Sequence, residues 1–282
     1  MLKGLLKRAR KELRATVAVI INVWKLDLSY PLSALYFIAA PFLWYAPFIL
    51  FSYFMAGGRT SYTFGSLTGI PDVITYVTLG SAFALLTLVS MWSTAFGLRR
   101  EQWIGTLEVV YLAPVSRFSI ILGHSLHSVS HIGAGIIIQI IFIHLLIGIH
   151  INYWGIIPAL IAIGLSIVSL QAIGLILCSI VLTAKQGWMA AEIVGDILYI
   201  ITPVAYPITV LPVYLQIMAY GNPMYYGTEA FRGFLIFGLD FSIGWWMLLV
   251  LAIIDLIALG IGYFIYLKTD EYIRKKGDLY KF

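Results

Sequence analysis

Three carboxylates lie inside stretches of the chain that are otherwise apolar. Glu192 and Asp196 are four residues apart, so they share one face of a helix, and Asp255 lies in the middle of a later apolar stretch. Charges in such surroundings are costly and are functional candidates by default. They could line a transport path, bind a cationic group or relay protons. In the structural alternative they pair with Lys185, or with hydroxyl or ring groups across a helix bundle.

Tyrosine is abundant, with 18 residues, and Tyr199 is a further candidate for the same path. Tyr206, Tyr225 and Tyr226 could also contribute. The alternative is that these rings belong to the aromatic belts that membrane proteins place at the lipid–water interface.

Three histidines, His124, His127 and His131, recur at spacings that put them on one face of a helix. Imidazole is a common metal ligand, so a metal or haem site is conceivable. No Cys or carboxylate is near them in sequence, however. The sequence therefore favours a polar helix–helix or cavity surface, and we assign neither a metal nor a cofactor to this chain.

The composition identifies the surroundings of these residues. The 282 residues are 61% hydrophobic and 11% charged, whereas soluble domains carry about 45–50% apolar and about 25% charged residues. The mean hydropathy is +0.95. One cysteine, Cys178, excludes an intramolecular disulfide framework. This predicts an all-α polytopic membrane protein with a single transmembrane domain over residues 1–282.

The apolar windows predict six transmembrane helices within residues 31–267, since a span needs about 20 mostly apolar residues. Residues 1–30 have the pattern of an amphipathic helix lying in the headgroup plane, and residues 268–282 are expected to form a tail. Residues 207–239 are apolar but broken by Pro and Gly, which fits a re-entrant hairpin or two short interfacial helices. The predicted spans are Pro31–Met55, Val73–Leu98, Phe118–Ile149, Ile156–Thr183, Trp188–Tyr206 and Phe241–Leu267.

Orientation follows from the basic residues. With both termini and the 2–3 and 4–5 loops in the cytoplasm, only Arg59 and Arg232 of the 18 Lys and Arg residues fall outside. Lys185 in the 4–5 loop and Lys281 in the tail are among those inside. We expect a multi-pass protein of a prokaryotic plasma membrane, with Arg59 and Asn222 accessible from outside.

The 2–3 loop contains acidic and basic residues around a short amphipathic helix that Pro114 ends. Trp103, Leu107 and Val110 share its apolar face, which suits docking against another protein. The alternative is a simple juxtamembrane turn.

Two motifs then resemble a known family. E-x-x-x-G-T-L-E at Glu101–Glu108, followed by A-P-V-S-R at Ala113–Arg117, is similar to a signature of type 2 ATP-binding-cassette export permeases. N-P-x-x-Y-x-x-E-A-x-R, which starts at Asn222 and ends at Arg232, resembles a second signature of the family, and a Leu-Pro step precedes it. The resemblance covers nearly the whole chain.

The resemblance implies that the 2–3 loop is a coupling helix that docks on a cytoplasmic ATPase subunit. The coupling residues would be Glu101, Gly105, Thr106, Leu107 and Glu108. Two ATPase copies would bind ATP and Mg, and two permease chains would pair, most simply as a homodimer. The substrate would be a drug, lipid, peptide or glycolipid-like molecule moved out of the cytoplasm.

The second motif suggests an external gate formed by Asn222, Pro223, Glu229 and Arg232. Glu229 and Arg232 are three residues apart, so they could pair on one helical face and hold the broken segment against the bundle.

Other classes fit less well. The sequence contains no G-x-x-x-x-G-K-[ST] phosphate loop and no H-E-x-x-H zinc-protease motif, so we predict that the chain is not itself an enzyme. A secondary transporter or channel independent of ATP is the alternative, although no inverted repeat is visible.

Overall fold

The computed structural model describes residues 2–184 and 186–276, and the regular elements in these ranges are helices. Lys185 and residues 277–282, which include Lys281, lie outside the described residues. The helices are α1 (Leu2–Leu28), α2 (Pro31–Met55), α3 (Tyr62–Thr68), α4 (Val73–Ala95), α5 (Gly97–Ile104), α6 (Leu107–Leu112), α7 (Arg117–Ile147), α8 (Ile156–Thr183), α9 (Gly187–Ile201), α10 (Val213–Tyr220), α11 (Pro223–Leu235) and α12 (Phe241–Lys276).

Within the described residues, four helical stretches are long and apolar enough to cross a membrane. They are Val73–Ala95, Arg117–Ile147, Tyr153–Thr183 and Phe241–Lys275. The all-helical polytopic class is therefore confirmed, and α8 has the bounds predicted for the fourth span. In α2, the shorter stretch Ala39–Met55 is apolar, and the helix continues through Pro41 and Pro47. The predicted fifth span ends early, because α9 has 15 residues and stops at Ile201 rather than Tyr206.

Helix α4 lies at the centre and packs against α2, α7, α8, α9 and α11. Its hydroxyl side chains bond within the helix: Thr87 Oγ1 donates to the Phe83 carbonyl at 3.0 Å, and Thr94 Oγ1 donates to the Ser90 carbonyl at 2.7 Å. Such back-bonding satisfies polar groups that would otherwise be costly to bury. A helix rich in Ser and Thr can therefore occupy the core. Helix α5 follows α4 in the chain.

Helix α1 runs side by side with the first half of α7. Thr16 Oγ1 donates to the Ser119 carbonyl at 3.1 Å, and Trp24 Nε1 donates to Ser130 Oγ at 3.2 Å, so the two helices advance in the same direction. Leu13 and Val17 remain exposed on another face of α1. The helix predicted here as amphipathic is attached to the bundle along a side that buries both Thr16 and Val23, whereas Lys11, Arg14 and Lys25 are exposed.

The segment of residues 207–239, which Pro and Gly interrupt, contains two short helices. This is one of the two forms predicted for it. Pro212 precedes α10, and Pro223 occupies the first turn of α11, where its missing N–H costs nothing. Helix α11 is not a surface helix, however, because it packs against α8, α12 and α4. The sixth predicted span also extends further, since α12 includes residues 268–276 of the predicted tail.

Candidate functional site

The predicted coupling helix is two helices, α5 and α6, rather than one. Gly105 separates them with φ +78°, a left-handed conformation that favours glycine and ends α5. The break rotates the two halves relative to one another, so Trp103 and Leu107 do not share a face. Leu107 is buried against Leu98 and Ile121, whereas Trp103 is exposed. The predicted single apolar face is therefore wrong.

A different apolar surface is exposed on this α5–α6 segment. Four side chains lie outward: Trp103, Ile104, Val109 and Leu112. Leu112 is 85% exposed, and Glu108 is exposed between them. Among the described residues, Glu108 has no hydrogen bond or ion pair. The outer side of the segment thus offers apolar contacts around one free carboxylate.

The inner side of the segment is held to α7 by Glu101. Its carboxylate lies 2.8 Å from His124 Nε2 and also accepts from Thr106 Oγ1, while the Glu101 carbonyl accepts the Thr106 N–H at 2.9 Å. The hydrogen bond to His124 lowers the pKa of Glu101 below its usual value, which outweighs the opposite effect of partial burial. Of the predicted coupling residues, Glu101 and Thr106 therefore stabilise the turn around Gly105.

The end of the loop is held to α12. Arg117 Nη2 donates to Asp270 Oδ2 at 2.8 Å, and Tyr111 donates to Asp270 Oδ1 at 3.3 Å. The Arg117 guanidinium also lies over the Tyr111 ring, 5.0 Å from its centroid. Asp270 is buried, and charge-assisted hydrogen bonds of this kind are among the stronger ones in proteins. A motion of α6 would therefore move α12.

The A-P-V-S-R motif also starts α7. The Ser116 side chain caps the helix by accepting the Phe118 N–H at 3.3 Å. Glu12 of α1 accepts from the Ser116 N–H at 2.9 Å and from Ser119 Oγ at 2.8 Å. A carboxylate at a helix N-terminus is favoured by the free N–H groups and the helix dipole. One short motif thus joins the α5–α6 segment, α1 and α7.

The candidate path residues do not form one cluster. Glu192 and Asp196 are both exposed on α9, and neither has an ion pair among the described residues. Glu192 lines a cavity of about 640 Å³ together with Trp92, Arg100 and His124.

Tyr199, on α9 as well, is partly buried against Phe48 of α2. Asp255 lies elsewhere, buried between α12 and α8, where Ser169 donates a hydrogen bond to its Oδ1. This contact favours the structural alternative for Asp255.

Asn222 begins α11 rather than facing the outside. Its side chain accepts the Met224 N–H at 3.0 Å, and its amide donates to Thr202 Oγ1 at 2.8 Å. Only 2% of Asn222 is exposed, so the predicted external access is wrong. Asn at the N-cap and Pro at the first helical position are the residue types that this helix start favours. Arg59, by contrast, is partly exposed and pairs with Asp72 at 2.8 Å.

Arg232 contacts more than the predicted Glu229. The Glu229 pair exists, but at 3.9 Å. The guanidinium also donates to the carbonyls of Pro203 and Val204 and lies 3.7 Å from the Tyr76 ring centroid. Those carbonyls follow the end of α9, where no helical N–H is left to bind them. Arg232 therefore replaces the missing donors at a broken helix.

Gly80 of α4 makes room for this arginine. A Cβ atom at position 80 would overlap the Arg232 guanidinium and the Val204 carbonyl. Both residues are thus needed where α4, the end of α9 and α11 meet.

The predicted histidine face is divided between two partners. His124 contacts Glu101, whereas His127 and His131 face Asp27 of α1 at 2.9 and 3.1 Å. No carboxylate is near these histidines in sequence, but the fold brings Glu101 and Asp27 against them. Asp27, Glu12 and Asp270 were all missed, because each meets a partner more than 80 residues away and no local pattern marks such a pair.

Comparison with known proteins gives one family. The family model described as ABC-2 type transporter matches residues 50–236, more than half of the chain, including the α5–α6 segment and α11. No curated protein matches the chain.

Proposed function

Because the chain belongs to the ABC-2 type transporter family, whose members are transmembrane components of ABC-type transporters, we propose that it is the permease of an exporter. ATP would be hydrolysed on a separate cytoplasmic subunit. The substrate would be a drug, lipid, peptide or glycolipid-like molecule moving out of the cytoplasm. Helices α2, α4, α7, α8, α9 and α12 would be the six spans, with α9 continued by the residues that Arg232 binds.

The observation that carries this proposal is the two-sided α5–α6 segment. Its outer side presents Ile104, Val109 and Leu112 with the unpaired Glu108, and its inner side is tied to other helices. Glu101 of α5 contacts α7, and Tyr111 of α6 contacts Asp270 of α12. An ATPase subunit docked on the outer side could therefore displace two spans at once.

ATP and Mg would be bound by two copies of this ATPase. The sequence contains no phosphate-binding loop of the G-x-x-x-x-G-K-[ST] type, which such a site uses to bind the phosphates. Each permease chain would engage one copy, and closure of the ATPase dimer would favour one conformation of the permease over another.

Pairing of two permease chains is supported by α9. Glu192 and Asp196 are exposed in the single chain and have no ion pair among the described residues. A carboxylate exposed to lipid would be costly, so we place this face against a second copy or an aqueous path between copies. Tyr199 would line the same path and Asp255 would support it from behind. A homodimer is the simplest arrangement.

At the other end of α4, Asn222, Pro223, Glu229 and Arg232 would form the external gate. They fix α11 against the end of α9, so movement of α9 would open or close this end. Basic residues are grouped near α5, α6 and α1. This grouping supports a cytoplasmic location for the end of the molecule that carries α5 and α6, and for both termini, in the plasma membrane of a prokaryote.

The test is crosslinking from the outer side of the segment. In a Cys178→Ala background, which removes the single buried cysteine, Val109→Cys and Leu112→Cys are treated with a cysteine-to-lysine crosslinker in native membranes. We expect an adduct with an ATP-binding-cassette ATPase, identified by mass spectrometry. Leu256→Cys, on an exposed face of α12, is the matched control and should give none.

Absence of such an adduct from both positions, with transport continuing after ATP depletion, would favour the alternative of a secondary transporter or channel.

A further inference from the structure

Two histidines and one carboxylate converge where α1 meets α7. Asp27 Oδ2 lies 2.9 Å from His127 Nε2 and 3.1 Å from His131 Nδ1. One potential ligand atom from each residue lies within 4.8 Å of the others. His127 and His131 are four residues apart on one face of α7, and Asp27 comes from a helix about 100 positions earlier in the chain. The cluster therefore exists only through the packing of α1 on α7.

His127 is buried without a hydrogen-bond partner. It is 3% exposed, and neither ring nitrogen has a hydrogen bond within the described residues. The 2.9 Å contact between His127 Nε2 and Asp27 Oδ2 therefore does not have the angles of a hydrogen bond. A buried imidazole without partners is costly. Ligands of one metal ion point their lone pairs at the ion rather than at each other. Their atoms therefore lie close together without the angles of a hydrogen bond, as observed for Asp27 and His127.

The distances suit a first-row metal ion. Bonds of about 2.0–2.2 Å to nitrogen and oxygen place tetrahedral ligands about 3.3 Å apart. The two distances from Asp27 Oδ2 are within a few tenths of an ångström of this value, and the two imidazoles need only approach each other from within 4.8 Å. Two imidazoles and one carboxylate are ligands typical of Zn²⁺ and its neighbours, and they leave a coordination position open. That position has room, because Asp27, His127 and His131 line a cavity of about 290 Å³.

The ring of Trp24 covers the same cluster. Its centroid lies 5.3 Å from that of His127 and 4.8 Å from that of His131. This contact restricts both imidazoles, which lowers the entropy lost when they bind an ion. Arg100 also lines the cavity, and its charge would repel a cation, so an anion or hydroxide at the open position would be favoured.

We propose that Asp27, His127 and His131 form a site for a divalent transition-metal ion, with Zn²⁺ the best fit, that fastens α1 to α7. The site does not depend on the proposed transport function, since it rests on the contacts between these two helices alone. Its role would be to hold α1 beside the half of α7 that Glu101 contacts through His124.

Zinc binding to the purified full-length chain tests the site. The chain carries an affinity tag without histidine, is stripped with chelator, and is then titrated with Zn²⁺ in lipid nanodiscs. We expect one tightly bound ion per chain, a higher unfolding temperature with Zn²⁺, and visible absorption bands of low-symmetry coordination with Co²⁺. His127→Ala, His131→Ala and Asp27→Asn should each weaken zinc binding by at least the roughly 10–100-fold that loss of an outer-shell partner costs.

His144→Ala is the matched control. It also removes one imidazole from α7, but His144 contacts the Ile149 carbonyl and Tyr153 near the other end of the helix. It should bind zinc like the unsubstituted chain. Absence of stoichiometric zinc binding, or equal loss in all four variants, would overturn the proposal. If an alanine variant fails to fold, Asp27→Asn and the zinc-dependent unfolding temperature of the unsubstituted chain decide the question.

Discussion

The α5–α6 segment and helix α11 carry the two sequence motifs of this protein, yet they are built in opposite ways. The α5–α6 segment keeps its outer side exposed, with Leu112 85% exposed, and uses only its inner side for contacts within the chain. In α11 the first and last motif residues are buried: Arg232 is 1% exposed, and Asn222 begins the helix from a buried position. The first motif therefore combines an intramolecular attachment with a free surface. The second is a packing junction.

The residue types of a motif therefore do not reveal whether the motif faces a partner or the core. Glu108 and Glu229 are both carboxylates in a motif. Glu108 has no hydrogen bond or ion pair among the described residues, whereas Glu229 lies beside Arg232. The two motifs should consequently respond differently to substitution: changes in α11 should affect folding, and changes in the outer side of α5–α6 should affect coupling.

Arg232→Ala should have the largest effect. It leaves the buried Pro203 and Val204 carbonyls without their donor, at a cost of about 1–3 kcal/mol for each carbonyl. We expect little monodisperse protein in size-exclusion chromatography and a lower unfolding midpoint in detergent titration. Arg232→Lys should recover part of the loss, since an ammonium group can bind one carbonyl.

Gly80→Ala sharpens that prediction, because its methyl group would displace the same guanidinium. Gly260→Ala is the control, since nothing lies within 4 Å of its Cβ position. Equal stability of Arg232→Ala and the unsubstituted chain would mean that α11 is not the packing junction described above.

Gly105→Pro should come next, with its effect on coupling rather than folding. Proline fixes φ near −65°, so it cannot adopt the φ of +78° that separates α5 from α6. We expect loss of permease-stimulated ATPase activity, while the chain stays in the membrane fraction at a normal level. Gly105→Ala should lie between, as a left-handed alanine costs about 1–2 kcal/mol.

Gly105→Asn is the control, because asparagine tolerates this conformation better than most residues. Normal stimulation of the ATPase by the proline variant would show that the break at Gly105 has no part in coupling.

Glu108→Arg should have a moderate effect confined to the partner. The exposed carboxylate has no partner among the described residues, so its reversal should leave the unfolding midpoint unchanged. We expect roughly tenfold weaker binding of the ATPase subunit, about 1.4 kcal/mol, in a titration of purified components. Glu271→Arg, an exposed carboxylate of α12, provides a charge-matched control. Similar weakening by both variants would indicate a general charge effect instead of a docking contact.

Glu229→Gln should have the smallest effect. At 3.9 Å and with its side chain one third exposed, Glu229 contributes about 0–1 kcal/mol to its pair with Arg232. The exchange Glu229→Arg with Arg232→Glu should not restore stability, because a carboxylate at position 232 would face the Pro203 and Val204 carbonyls. A double-mutant cycle that measures strong coupling between positions 229 and 232 would restore the charge pair as the main contact.

Much of the fold follows from local patterns. The windows for α8 and the start of α12 were predicted to the residue, because apolar length and Pro or Gly boundaries are local. The early end of α9 was not predicted, because its apolar pattern continues past Ile201. Pro203 is a local signal for that end, since the residue before a proline disfavours the helical conformation, and Arg232 then binds the carbonyls that follow. The glycine at position 105 was itself a signal for the break between α5 and α6. The prediction of a single helix used only the spacing of apolar residues, which does not take glycine into account.

The apolar windows alone were enough to predict a helical membrane protein, because so many apolar residues in stretches of about 20 can be stable only in lipid. The sequence also determined the motif residues of the loop and of α11. Which charged groups meet, in contrast, is visible only in the packed helices: Asp27 with His127 and His131, Asp270 with Arg117, and Arg232 with the carbonyls after α9. The physical reason is that helical periodicity fixes which residues share a face, whereas the neighbour of that face depends on how all the helices pack together.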